Sequence, residues 1–144
     1  AEDAKVVRSQ IANYAHPETP ELDDFGDAML VADNGASGYF RVDWFTPDGL
    51  STWGDGRTVI LGTDGYIELR KNLNVATDPA GDHLFLVDKS GEHHLEASGK
   101  VGYPFFNQMI RDSLDGTETA MTQAHIFKAA ELCVRAQNQA VRLS

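Results

Sequence analysis

The sequence predicts an α+β domain: a largely antiparallel open sheet with helices packed on one face and the other face available for oligomerisation. Two observations predict it. Runs of strand character fill the first two thirds of the 144 residues, and helical spacing takes over after Gly102. The connections between the strand-like runs are mostly short and sequential, whereas parallel neighbours need crossovers of a dozen residues or more.

Each element has its own signal. AKVVRSQIANY is long and β-branched enough for a first strand, and HPETPELDD after it is a polar loop with two prolines and a cluster of acids. DFGDAMLVAD alternates, with Phe25, Asp27, Met29 and Val31 on one face. Asn34-Gly35 supplies tight-turn chemistry, and GYFRVDWF returns as a third strand. TVILG and GYIELRK form a hairpin across Thr63-Asp64-Gly65, and DHLFLVD and EHHLEA form another across Lys89-Ser90-Gly91. YPFFNQMIRDSLDG sets Tyr103, Phe106, Ile110 and Leu114 at helical spacing, with Gly116 placed to end the helix. TQAHIFKAAELCVRAQNQAVRL follows as a longer helix capped by Thr122. Its apolar face carries Ile126, Ala129, Ala130, Cys133, Val134 and Ala140. With no repeat and no linker, residues 1–144 read as one domain.

Several strands are apolar on both faces, among them those carrying Val6, Val7, Phe40, Trp44, Ile60, Leu61, Leu84 and Phe85. Such a sheet needs a second cover. A homo-oligomer packed sheet to sheet is the expectation.

Charge excludes some partners. The net charge is −10, with 22 acids against 12 bases. Nucleic-acid affinity rests on neutralising phosphates, so neither a nucleic acid nor an anionic membrane is expected as a partner. No run approaches the ~20 apolar residues of a membrane span. AEDAKVV has neither the basic nor the apolar region of a signal peptide, and a start without methionine points to a chain cut from something longer. The lone Cys133 is read as a small buried side chain, and the setting as cytoplasmic.

Catalytic templates are absent. There is no G-x-S-x-G, no P-loop, and no G-x-G-x-x-G passing from strand to helix. No cofactor is therefore expected to bind this chain alone, and no metal ligand pattern stands out. His83 and His16 read as surface residues, and His93 and His94 as members of a solvated edge strand. Glu21, Asp23 and Asp24 read as a solvated acidic loop. Asp43, Glu68 and Glu131 read as ion-pair partners of Arg41, Arg70 and Lys128. His125, in the first turn of the long helix, either packs beside Tyr103 or Phe106 or contacts a ligand; packing is preferred.

The stretch TPDGLSTWGDGR, positions 46 to 57, is too long for a turn. Trp53 offers a flat apolar surface and an indole donor, Arg57 a fixed fork of donors, and Asp55 an acceptor. Ligand contact and packing are equally open for these side chains.

The run DWFTPDGLSTWGDGRTVILGTDGYIELRK resembles the C-terminal domain of the glucose–fructose oxidoreductase, inositol dehydrogenase and rhizopine catabolism (Gfo/Idh/MocA) family. YPFFNQMIRDSLDG and TAMTQAHIFKAAELCVRAQNQAV resemble the helical end of the same domain. The resemblance implies an N-terminal Rossmann domain elsewhere in the parent protein, NAD or NADP bound there, and a sugar, inositol or related polyol as the small molecule. It also implies a subunit interface through the open sheet. Trp53, Asp55 and Arg57 would then line the substrate side, with Tyr103, Asn107 and His125 as further candidates. The family's glycine-rich motif, its Glu-Lys-Pro segment and its Asp…His motif lie upstream of the region resembled and have no counterpart here. No catalytic residue is assigned, and the chain alone is expected to be inactive. The alternatives are a non-catalytic assembly module and a free-standing small-molecule-binding domain.

Overall fold

The computed structural model describes residues 3–75 and 81–143. In chain order the elements are β1 (Ala4–Ala12), β2 (Phe25–Ala32), β3 (Ser37–Asp43), β4 (Gly56–Leu61), β5 (Gly65–Lys71), β6 (His83–Asp88), β7 (Gly91–Glu96), α1 (Pro104–Asp115), α2 (Gln123–Asn138) and β8 (Val141–Arg142). The class is α+β, as expected. The described strands form two four-stranded sheets, both open, where the sequence pointed to one. The chain divides into two compact units, Ala1–Phe45 with Pro104–Ser144, and Thr46–Tyr103.

The first unit carries the sheet β3-β2-β1-β8. β1, β2 and β3 are antiparallel, with a register shift between Val6 and Arg8. β8 runs parallel to β1, with Gln10 opposite Val141 and Ile11 opposite Arg142, a strand too short for periodicity to reveal. Helix α2 packs on β1 through small groups. Buried Ser9 donates its hydroxyl to the Ala136 carbonyl at 2.7 Å, and its neighbour across β2 is buried Ala28. Small side chains on both partners let a helix backbone approach a sheet closely.

The packed side of α2 differs from the expected one. Lys128, Glu131, Leu132 and Ala136 are its more covered positions, about one helical turn apart, whereas Ile126, Phe127, Cys133 and Val134 are exposed. Cys133 is therefore not the buried side chain that its apolar neighbours implied. An alanine-rich helix has two weakly distinguished faces, and the short Ala136 side chain makes the closer approach.

Asp24 is a second correction. It is 0% exposed, and its carboxylate accepts from the backbone amides of Tyr14 (2.9 Å) and Ala15 (2.7 Å) and from His16 Nδ1 (2.9 Å). Burial on its own pushes a carboxyl upward; these donors more than offset that and hold it below its ordinary value. His16 is accordingly half-buried and partnered.

Asp112, the buried residue of α1, ties the α1–α2 connection together. Its carboxylate accepts from the hydroxyls of Thr117 (2.6 Å) and Thr119 (2.8 Å) and from the Ala120 amide (2.8 Å), just beyond Gly116 at φ 66°. These bonds, the Ala120 amide foremost, hold its carboxyl far below the usual carboxylate range. A depressed folded-state value stabilises the fold above the unfolded carboxyl's ~4 and loses that contribution as pH falls through the folded value. Asp112→Asn should therefore lower Tm at neutral pH and flatten its decline below about pH 4, which calorimetry across pH would read. An unchanged acid limb would exclude Asp112 as a contributor.

The second unit is an antiparallel meander in the order β4-β5-β6-β7. The register sorts its side chains onto two faces. Ile60, Ile67, Leu84, Leu86, Leu69 and Leu95 share the apolar one. Arg57, Glu68, Arg70, His83, Phe85 and His94 share the other. His83, expected at the surface, is 2% exposed. Its neighbours across the strands are Arg70 and Glu96, and it lies against the rings of Phe85 and His94.

Candidate functional site

The long loop is held by its own turns before it enters β4. Leu50 N–H donates to the Pro47 carbonyl at 2.9 Å, and the Thr52 hydroxyl to the Gly54 carbonyl at 2.8 Å. Trp53 at its tip is 89% exposed. Arg57, near the start of β4, donates Nε to Asp55 Oδ2 at 2.9 Å and Nη2 to the same oxygen. That bond holds the Asp55 carboxyl below its usual range and raises Arg57. Asp55 Oδ1 is buried and has no hydrogen-bond partner among the described residues. An acceptor left unpaired at that depth still calls for a donor.

A second pair stands beside the first. Arg70 Nε donates to Glu68 Oε1 at 2.7 Å, and Arg70 is the cross-strand neighbour of Arg57. The four charges interact as a group, since Asp55 also feels Arg70 and Arg57 also feels Glu68. Arg41–Asp43 and Lys128–Glu131 also form, as their spacing predicted.

Three rings continue this face. Phe85 and His94 stack at 4.6 Å between centroids with 10° between planes, and His83 lies 5.2 Å from His94. His83 Nδ1 and His94 Nε2 are 2.9 Å apart, within hydrogen-bond distance. His83 Nε2 is buried without a hydrogen-bond partner among the described residues. Tyr66, Glu68, Arg70, Phe85, Glu92 and His94 line a cavity of about 550 Å³ in this unit, the size of a small-molecule site.

Of the six residues singled out from sequence, the structure brings Asp55 and Arg57 into contact. Trp53 and Tyr103 belong to the same unit, and Tyr103 is 85% exposed. Asn107 on α1 and His125 on α2 belong to the other unit and are exposed; the His125 amide donates to the Thr122 capping hydroxyl at 3.2 Å. The ring stack and the place of Glu68 and Arg70 beside Asp55 and Arg57 were not read from sequence. Alternation along β5 offered a signal, but the register that sets Phe85 opposite His94 was not visible. No group of three or more His, Cys, Asp or Glu suited to a metal ion occurs among the described residues. Among the same residues no helix is long and apolar enough to cross a membrane.

Solved structures that share this fold include two oxidoreductases with provisional names. One is a provisionally named oxidoreductase of Erwinia carotovora atroseptica SCRI1043, 53% identical, with a TM-score of 0.94 over 99% of this chain and 43% of its own. The fold is oxidoreductase-like. The other is a provisionally named oxidoreductase of Thermotoga maritima, 20% identical, with a TM-score of 0.69 over 96% of this chain and 38% of its own. The chain thus spans less than half the length of either protein. No family model matches the chain, and no curated protein matches it.

Proposed function

We propose that this chain is the C-terminal, substrate-side domain of an NAD(P)-dependent oxidoreductase of the Gfo/Idh/MocA family, acting on a sugar, inositol or related polyol. The observation that carries the reading is the 53% identity, across 99% of the chain, to a protein named provisionally as an oxidoreductase. The nicotinamide would bind in a Rossmann domain of the parent protein, and hydride transfer would take place there. This chain's share is binding: Arg57, held by Asp55, supplies fixed donors. Trp53, exposed at the loop tip, supplies a stacking surface. The apolar face of the second unit's sheet, with Ile60, Leu69 and Leu95 exposed, would meet a second subunit, giving a homo-oligomer in the cytoplasm.

The test is steady-state turnover by the full-length protein with NAD or NADP across sugars and inositols. Arg57→Ala should lower kcat/KM about 10- to 100-fold, the loss of one or two hydrogen bonds from a charged donor. Unchanged kinetics would remove Arg57 from the site. Failure of every polyol to reduce either nucleotide would overturn the substrate class.

A further inference from the structure

We propose that the cavity on the polar face of β5, β6 and β7 is a subsite for a neutral polyhydroxy ring, and that it rejects the phosphorylated form of the same ring. The claim that the bound ring is the substrate rests on the oxidoreductase reading above. The claim that the ring binds does not.

Charge pairing decides between neutral and anionic ligands. The cationic group in the cavity wall, Arg70, is already paired with Glu68 at 2.7 Å, and Glu92 adds a further negative charge. The neighbouring Arg57 is likewise paired with Asp55. A phosphate would meet a guanidinium whose charge Glu68 already balances, and would face Glu68 and Glu92 on a chain of net charge −10. A hydroxyl faces no such barrier. It donates and accepts at once, so a guanidinium beside a carboxylate offers it a partner in each role while the pair stays intact.

The rings supply the other half of the site. Phe85 and His94 stand parallel at 4.6 Å and present an aromatic surface, against which the C–H face of a saturated ring packs. His94 is positioned by His83, which is 2% exposed and joined to it at 2.9 Å. The imidazole in the wall is thereby fixed in orientation, lowering the cost of ordering it around a ligand. A volume of about 550 Å³ accommodates a monosaccharide or cyclitol.

The experiment is an amide-resolved NMR titration of this chain with myo-inositol, D-glucose and D-glucose 6-phosphate. Saturable shifts at residues 66–70 and 83–94 are expected with one or both neutral probes, with affinity on the order of millimolar. D-Glucose 6-phosphate should bind at least about tenfold more weakly than D-glucose, the cost of an unpaired like charge. Phe85→Ala and Arg70→Met should each abolish the shifts while signals of the first unit stay dispersed. Absence of saturable shifts with both neutral probes, equal or tighter binding of the phosphate, or unaltered shifts in both variants would overturn the proposal. Shifts at the same amides that follow protein concentration instead of sugar would assign the face to a second copy and overturn it equally. In the full-length protein, polyol turnover with kcat/KM unchanged by Phe85→Ala would overturn the claim that the bound ring is the substrate and leave the oxidoreductase reading standing. Saturable shifts without turnover of any polyol would overturn that reading and leave the subsite standing.

Discussion

Replacing Asp24 by alanine lowers the Tm of this protein by on the order of 10 °C, which makes it one of the two most damaging substitutions expected. The carboxylate is 0% exposed and accepts three hydrogen bonds, from the Tyr14 and Ala15 amides and from His16. Alanine removes the shared acceptor of all three donors at a fully buried position, and a donor left unsatisfied beside it costs more than the bond it lost. Asp24→Asn should sit between the two, since its carbonyl still accepts while its amide nitrogen confronts a donor. The pH dependence has a fixed sign. The folded-state carboxyl lies below its ordinary value, so its stabilisation is complete above the unfolded carboxyl's ~4 and fades as pH falls through the folded value. Thermal melts from neutral to acid pH check both points. A Tm for Asp24→Ala within about 2 °C of the parent would show that the loop folds without the carboxylate.

Gly65→Ala is the second. A Cβ at this position would lie 2.2 Å from the Val87 carbonyl oxygen and 3.2 Å from Asp88 Cα, both backbone atoms of the neighbouring strand. A flexible side chain could swing away from such an approach, but a paired strand cannot, so β5 and β6 must separate at the start of their ladder. The expected cost is about 3 kcal/mol or more, at the upper end for overpacking. Gly49→Ala is the control, because nothing lies within 4 Å of its Cβ position. Amide exchange should show lost protection along β5 and β6 in Gly65→Ala and none in Gly49→Ala. Since these strands carry Glu68, Arg70 and Phe85, the variant should also lose the cavity they line. Equal stability of the two variants would mean that the close approach does not exist in solution.

Much of the fold was legible in the sequence because it rests on local rules. Glycine at 91 and 116 takes positive φ at the turn and the helix end where a residue with no Cβ was needed. Thr122 caps α2, and the alternation of hairpin strands follows the two-residue period. Ion pairs two residues apart on one strand, such as Glu68–Arg70, follow from the same period. The candidate site was legible in part. Asp55, the last residue of the loop, and Arg57, near the start of β4, are two apart, so spacing alone placed them near each other. The rings of Phe85 and His94 come from two strands whose register depends on the turn between them. Solvent exposure was the poorest guide. His83 and Asp24, polar and expected outside, are buried by partners distant in sequence, and apolar-flanked Cys133 is exposed.

By itself, then, the sequence determined the class of the fold, the order of its longer strands and helices, their turns and caps, and the loop that leads through Asp55 to Arg57. Only the tertiary structure decided which face of each element is covered, that β8 joins β1 in parallel, and that two ion pairs and a ring stack surround one cavity. The reason is range. Periodicity, capping and turn chemistry act within a few residues, whereas burial and strand register are set by contacts between segments far apart in the chain.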